Sequence, residues 1–361
     1  MDQPLPLAVA GLGRIGAIHA LHAQELAEET GICELVAVCD TNAELARDVA
    51  LRLGARKGRP VRAFSTVEEL ALSGDCLATV IATPTSSHRC NAATLAQAGQ
   101  RVMLEKPLTG SLADDRHFVR ELDDRHPDAV MLAFQRRYDE PLQRARELAL
   151  NGAVGRVFKI VSILEDSNPL PDGYNSLGLL SDMSVHNVDE VLWITGQMPE
   201  AAAAGGTRLF SHRLTTAQED YDDGFLHMWF QGELAAQIQV SRNHVSGYRV
   251  ETWIFGETGQ IHVGRFEQNR FEVAVEVYGR RELVQRDLYI MRNYGDGMPE
   301  FVDRFGPAYK AGLAAFVAHV SRNEPFQVTH RDGLKAMEVI EAGLDGWVDR
   351  AKAGVVGRHS A

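Results

Sequence analysis

Four cysteines in 361 residues, none of them in a C-x-x-C pair, leave no basis for a disulfide scaffold or a zinc ribbon. Cys33, Cys39, Cys76 and Cys90 all fall in the first quarter of the chain and read as buried thiols of a reducing cytoplasm. Long apolar runs are missing too. The longest are cut by Arg14 or end at Pro84, well short of the ~18 residues a membrane span requires. Basic charge is in deficit: 37 Lys and Arg against 49 Asp and Glu give a formal net charge of -12, which argues against a nucleic-acid or anionic-membrane partner. The opening residues MDQPLPLAVAG carry no basic stretch ahead of the apolar one, so no secretory leader is expected and the chain reads as cytoplasmic. Internal repeats are absent, and AAAAGG at 201–206 reads as a loop.

What is present is an ordinary globular composition, 45% hydrophobic and 24% charged, on a chain long enough to predict two domains. Over residues 1–130, apolar runs at 7–10, 34–39, 77–82 and 101–104 alternate with helical patterns at 15–28, 43–53, 66–72 and 91–98. That alternation predicts parallel β-α-β units in a sheet covered on both faces. Over residues 131–361 the pattern changes. Strand-like runs at 157–163, 225–231, 234–241, 250–255, 260–263 and 271–277 are separated by Gly-containing turns, which predicts a mostly antiparallel sheet. Helices are expected at 141–151, 181–195, 307–321 and 331–353. The fold class is α/β, with a dinucleotide-binding domain over 1–130 and a substrate-binding and oligomerisation domain over 131–361.

Within LAVAGLGRIGAIHA, Gly11, Gly13 and Gly16 stand at the spacing G-x-G-x-x-G. A chain with 32 glycines meets that spacing by chance roughly 0.25 times, so its context decides. An apolar strand precedes Gly11 and a helix follows Gly16. The three glycines then serve a tight turn, close approach of a pyrophosphate, and helix–sheet packing, with Arg14 and Ile15 inside the same turn. The second strand ends at Asp40, 24 residues beyond Gly16, where a carboxylate binds a ribose diol and repels a 2′-phosphate; NAD is favoured over NADP. IATPTSSH places Thr83, Pro84 and His88 at the exit of a buried strand, where they are candidates to line the ribose and nicotinamide. VMLEKPLT places Glu105 and Lys106 at another strand exit, as candidates to bind the cofactor, and a lysine beside a cofactor polarises a hydroxyl or stabilises an alkoxide.

A second constellation lies in LLSDMSVHNVDEVLWITG. Asp182 and His186 are four residues apart on one helix face, with Asp189 at i+7 on the same side and Val188, Val191 and Leu192 opposite. His186 is a candidate general base and Asp182 its orienting partner or a substrate ligand. No third ligand stands at a spacing that would complete a metal site.

GLGRIGAIHA, VAVCD, IATPTSSH, EKPLT and DMSVH, in this order and at these distances, resemble the Gfo/Idh/MocA oxidoreductases. The likeness extends to AYKAGLAAFVAHVSRNEPFQVTHRDGLKAMEVIEAG near the C-terminus. Within the family it is nearest to the inositol dehydrogenases. FQRRYDEPLQRA resembles their F-x-R-R-[YF]-D segment, which brings Arg137 and Tyr138 toward the substrate; EDSNP resembles the segment that sets Asp166 and Asn168 against a cyclic polyol. The resemblance implies a Rossmann domain followed by an α/β domain with an open antiparallel sheet, a catalytic set of Lys106, Asp182 and His186, and a cis Lys106–Pro107 bond. Two departures stand at the substrate end. Inositol-type members commonly carry His where Asp166 stands, and PDGYNSLGLLS lacks their usual Gly-Gly pair.

The resemblance implies an NAD-dependent dehydrogenase acting on a ring hydroxyl of a cyclic polyol such as inositol, or of a pyranose. One alternative is redox-neutral glycoside hydrolysis by transient oxidation and elimination, distinguished by the absence of net NADH. Another is a dinucleotide- or sugar-sensing regulator, which would have no use for the Lys-Asp-His set. The partners implied are a small cyclic polyol or sugar and further copies of the chain. A homo-oligomer, dimer or tetramer, is expected on the uncovered face of the second sheet, which would carry Trp229, Ile238, Val240 and Trp253.

Overall fold

The computed structural model describes residues 3–58, 60–166, 177–207, 221–264, 271–295 and 298–346. The chain divides into two compact units, Met1–Gln143 with Met291–Lys335, and Arg144–Ile290 with Ala336–Ala361.

The first unit is built on six strands: β1 Leu5–Ala10, β2 Cys33–Cys39, β3 Arg62–Phe64, β4 Ala78–Ile81, β5 Arg101–Leu104 and β6 Val130–Leu132. Their order is β3-β2-β1-β4-β5-β6, and every neighbouring pair is parallel. The strand order reverses between β1 and β4, so the crevice at the carboxyl ends of those strands is where such a sheet binds its ligand. Connecting helices are α1 Arg14–Thr30, α2 Ala43–Lys57, α3 Val67–Ser73, α4 His88–Gln97 and α5 Leu112–Arg125. Side chains of Asn42, Thr66 and Ser111 cap the starts of α2, α3 and α5. Successive residues Leu7, Ala8 and Val9 are all fully buried, so both faces of β1 are covered. The same core takes in Leu313, Phe316 and Val317 of helix α8, Glu300–Arg322.

Helix α8 begins two turns before the expected start at Pro307. Proline favours the first helical position, which made residue 307 look like an N-terminus. It sits inside the helix instead, where the lost backbone bond is offset by a buried face of Val302, Phe305, Tyr309 and Leu313. Cys90 also departs from expectation: Cys33, Cys39 and Cys76 are buried, but Cys90 is an exposed thiol on α4.

The second unit holds eight strands: β7 Val157–Glu165, β8 Ala201–Thr207, β9 Asp223–Trp229, β10 Ala235–Ser241, β11 Arg249–Gly256, β12 Gln260–Gly264, β13 Glu272–Tyr278 and β14 Leu283–Ile290. They are ordered β14-β13-β12-β11-β7-β10-β9-β8, antiparallel except for the parallel pair β7 and β10. Helix α6, Glu140–Leu150, leads in, and α7, Val185–Thr195, follows β7. Helix α9 is His330–Asp345.

Residues 201–206 are not a loop. They form most of β8, paired along β9 from Ala201 opposite Trp229 to Thr207 opposite Asp223. Alanine and glycine carry no β-pattern, but the strand needs them: a Cβ on Gly205 would run into the Phe225 ring. Ile238 and Val240 lie on the covered face of β10, at 0% and 2% exposure. Only the alternate positions point the other way, so Trp229 and Trp253 remain on the uncovered face while Ile238 and Val240 do not. Among the described residues, no helix is long and apolar enough to cross a membrane.

Candidate active site

The turn leaving β1 places Gly11 at φ 85°, and a Cβ there would lie 2.5 Å from the Ala82 carbonyl oxygen. A Cβ on Gly16 would overlap the carbonyl oxygen of Gly11. Both glycines are therefore demanded by the close packing of β1, α1 and the β4 exit. Gly13 differs: a Cβ there meets nothing within 4 Å. It opens α1, a helix with no side-chain cap and no acidic residue in its first turn. Its first N–H groups thus carry no side-chain cap, and together with the positive end of the dipole and the open space at the Gly13 Cβ position they fit a pyrophosphate. In the same turn Arg14 is exposed, with its guanidinium 5.2 Å from the Phe301 ring centre, and Ile15 is half-buried.

Asp40 follows β2. Its Oδ2 accepts from the Leu12 N–H at 2.7 Å and its Oδ1 from the Asn42 N–H at 2.8 Å. These two bonds hold the carboxylate beside the glycine turn and leave each oxygen a lone pair for a ribose hydroxyl. Capping of α2 falls to Asn42, which accepts from Leu45 N–H at 3.1 Å.

At the β4 exit, the Thr83 hydroxyl oxygen accepts from Ser87 Oγ and Asn91 Nδ2, both at 3.0 Å, and Pro84 leads into a short turn, Thr85–Ser87. His88, expected against the cofactor, is 1% exposed. Its Nδ1 lies 2.8 Å from the Pro107 carbonyl and its Nε2 2.9 Å from the Thr83 carbonyl. A neutral imidazole carries one N–H and so donates to only one of these two carbonyls; buried between them, it braces the walls of the crevice and does not line it. Burial lowers its pKa, against the raising effect of the two carbonyls. Glu105 is likewise committed: its Oε1 accepts from His19 Nε2 at 2.7 Å, both side chains buried. Sequence reasoning missed His19, whose only signal is a histidine among Ile18, Ala20 and Ala23 on the buried face of α1. Lys106 between them is half-buried, and the Lys106–Pro107 bond is cis, as the resemblance implies.

Arg137 and Tyr138, expected at the substrate, have structural contacts. Arg137 pairs with Asp332 at 3.2 Å, and the Tyr138 ring packs where α8 has Gly312. Their neighbours do the same: Arg136 is buried against the Phe305 ring, and Asp139 accepts a two-pronged bond from Arg304 at 2.6 and 2.8 Å. The whole segment ties the turn Gln135–Tyr138 to the end of the chain's first unit.

In the second unit, Asp182 lies in a π-helical turn, Leu180–Ser184, that leads into α7. Such widened turns are frequent at functional sites, and this one replaces the regular i, i+4 spacing expected between Asp182 and His186. The Asp182 carboxylate is buried and takes Arg242 Nη2 at 3.2 Å. Arg242, just beyond β10, went unrecognised because its partner is 60 residues away. His186 is half-buried. Asp189, expected on the same polar stripe, is buried at 1% exposure. The buried polar layer under the helix includes Glu190, whose Oε1 accepts from Thr252 Oγ1 at 2.6 Å and Ser162 Oγ at 3.1 Å, and Asn187, which donates to Ser162 Oγ at 2.8 Å. This layer anchors α7 on β7 and β11 and leaves His186 on the helix's more open side.

Asp166 continues from β7, its N–H bonded to the Ser241 carbonyl at 2.9 Å and its carbonyl to the His244 N–H at 3.2 Å. Glu165 beside it pairs with Arg249 at 3.2 Å. Asn168 lies outside the described residues. Among the described residues, no group of three His, Cys, Asp or Glu side chains is placed to hold a metal ion.

Two models of one family match the chain: an oxidoreductase family with NAD-binding Rossmann fold, GFO/IDH/MocA, over residues 5–134, and the GFO/IDH/MocA C-terminal domain over residues 142–262. A myo-inositol 2-dehydrogenase of Thermotoga maritima is 27% identical over 334 residues, 92% of each chain. A crystal structure of a myo-inositol dehydrogenase from Corynebacterium glutamicum superposes with a TM-score of 0.79 at 25% identity, covering 95% of this chain and 96% of that one. A scyllo-inositol dehydrogenase from Lactobacillus casei, solved with NAD(H) and scyllo-inositol, has the same fold with a TM-score of 0.77 at 23% identity, covering 95% and 97%.

Proposed function

The chain belongs to the GFO/IDH/MocA family of NAD-dependent oxidoreductases acting on CH–OH groups, and from that premise we propose that it oxidises a ring hydroxyl of a cyclic polyol, an inositol, or of a pyranose sugar to the ketone. What carries this reading is similarity to a myo-inositol 2-dehydrogenase along 92% of both chains. In this reading residues 1–130 hold NAD and residues 131–361 hold the substrate. Gly13 and the start of α1 take the pyrophosphate, Asp40 takes the ribose diol and disfavours a 2′-phosphate, and Thr83 and Pro84 shape the nicotinamide end.

When bound, NAD supplies the acceptor for the hydride that leaves the hydroxyl-bearing carbon. His186 takes the hydroxyl proton as general base. Lys106 donates a hydrogen bond to the same oxygen as it gains alkoxide character. Asp182, its carboxylate held by Arg242, orients the imidazole or a neighbouring ring hydroxyl. The C–H and O–H bonds break and C=O forms; the proton rests on His186 and the electron pair leaves with the hydride.

A panel of inositols, aldoses and glycosides, each with NAD and with NADP, tests this by the absorbance of the reduced cofactor. An inositol or aldose should give a ketone and stoichiometric NADH. A preference for NADP would remove the role of Asp40, and glycoside cleavage without net NADH would replace simple dehydrogenation. The same reading makes the uncovered sheet face, with Trp229 and Trp253, the contact of a dimer or tetramer. Light scattering at micromolar concentration checks it, a monomer being the contrary result.

A further inference from the structure

We propose that His19 and His88 are positioning residues for Lys106, each gripping the residue on one side of it. This rests on the assignment of Lys106 as the group that stabilises the alkoxide.

Strand β5 ends at Leu104, whose carbonyl accepts from Ala133, and the Glu105 N–H still bonds the Ile81 carbonyl at 2.9 Å. Beyond that point Lys106 and Pro107 turn out of the sheet, and Pro107 has no N–H with which to rejoin a ladder. The two histidines supply the missing ties. His19, fully buried, brings Nε2 to 2.7 Å from the Glu105 carboxylate, while its Nδ1 has no hydrogen-bond partner among the described residues. With Nε2 facing a carboxylate, the N–H of the imidazole is given to Glu105. The Tyr309 ring stands edge-on to the imidazole at 5.7 Å. His88 is wedged on the other side, with Nδ1 2.8 Å from the Pro107 carbonyl and Nε2 2.9 Å from the Thr83 carbonyl, so that its one N–H bonds one of them and its ring fills the space between the exits of β5 and β4. Because His19 stands one turn beyond Gly16, the helix that offers N–H groups to the pyrophosphate also steadies the lysine's turn.

A lysine has a long, flexible stem, so the ammonium is placed only as well as the backbone beneath it. A misplacement of about 1 Å costs on the order of 100-fold in rate. Polar ties buried on both sides of one residue are the means of preventing it.

The test measures kcat and KM with NAD and myo-inositol or scyllo-inositol, whichever turns over faster, in Lys106→Met, His19→Leu, His19→Gln and His88→Ala. Lys106→Met should lose most turnover. His19→Leu and His88→Ala should each lower kcat by ~10–100-fold with KM for NAD within about threefold. His19→Gln, which keeps an N–H near the Nε2 position, should restore most of the loss. On a Lys106→Met background, His19→Leu should add less than about threefold, because it acts through the lysine.

A substrate-free measurement is the ¹³C-methyl resonance of reductively methylated Lys106, identified by its absence from Lys106→Met, which should shift and broaden in His19→Leu. Should His19→Leu fail to fold, His19→Gln against His19→Asn, which withdraws the donor, carries the same contrast. Full turnover in Lys106→Met would sink the role of the lysine itself. An impaired Lys106→Met would leave that role standing. In that case the positioning role alone fails if the histidine variants keep more than half of wild-type kcat, if their losses multiply with that of the lysine, or if the resonance is unmoved.

Discussion

The two sheets bury their strands in different ways. In the six-stranded sheet, β4 and β6 are buried at every residue and β1 at all but one. In the eight-stranded sheet, β9 and β10 alternate buried with open positions, and no residue of β14 is buried. A sheet covered on both faces leaves chemistry only at its strand ends, and Gly13, Asp40, Thr83 and Lys106 all stand there. A sheet covered on one face carries polar side chains along the strands themselves. Glu251 on β11 shows the consequence: burial pushes its pKa up, but bonds from His262, Arg249 and Trp253 outweigh burial and bring it down to about 2.

The largest effect that could break this division of labour is on catalysis. His186→Asn should lower turnover by ~10²–10⁴-fold and leave the Kd for NAD within about threefold, since the dinucleotide cradle belongs to the other sheet. Calorimetry for NAD and steady-state rates on the best inositol check both halves. A variant with more than about a third of wild-type turnover removes His186 as the base.

Next in size is packing. Leu104→Ala, in the doubly covered sheet, should cost about 2–5 kcal/mol, whereas Leu288→Ala, 50% exposed on β14, should cost under ~0.5 kcal/mol in urea unfolding. A larger loss at Leu288 that vanishes on dilution would show a second copy covering that face.

Acid sensitivity gives a third contrast. His22 on α1 is held to about 3, first by burial and then by the neighbouring His19. Below its ordinary 6.5 the unfolded chain takes a proton that the folded chain refuses until about pH 3. Stability therefore falls as pH drops through that window, by about 1.4 kcal/mol per unit. The contribution of Glu251 runs on a lower scale: it is present above 4.5 and lost only as pH falls toward about 2. Urea midpoints between about pH 7 and pH 5 should fall in the wild type and fall less steeply in His22→Gln.

The smallest effect concerns Gly13. With nothing near its Cβ position, Gly13→Ala should leave the melting temperature nearly unchanged yet weaken NAD roughly tenfold, about 1.4 kcal/mol, by crowding the pyrophosphate. Gly16→Ala, whose Cβ would overlap Gly11, should instead destabilise the fold. Thermal melts and NAD titrations of the pair separate the two kinds of glycine.

The sequence by itself determined what is local. A strand, a tight turn and a helix in succession place Gly11, Gly13 and Gly16, and the next strand's end places Asp40, with no contact more distant than neighbouring elements. Unbroken apolar runs likewise announced the parallel sheet, and alternation announced most of the antiparallel one. Only the tertiary structure made β8 a strand, because alanine and glycine acquire that role from the β9 ladder and the Phe225 ring beside them. It also decided which polar side chains brace and which are left for chemistry. His19 and Glu105 are 86 residues apart, Asp182 and Arg242 are 60 apart, and Arg137 meets Asp332 from the far end of the chain. Local propensity does not encode such pairs. Buried polar groups take whichever partner the packed chain brings within hydrogen-bond reach, and that is settled only once the core has closed around them.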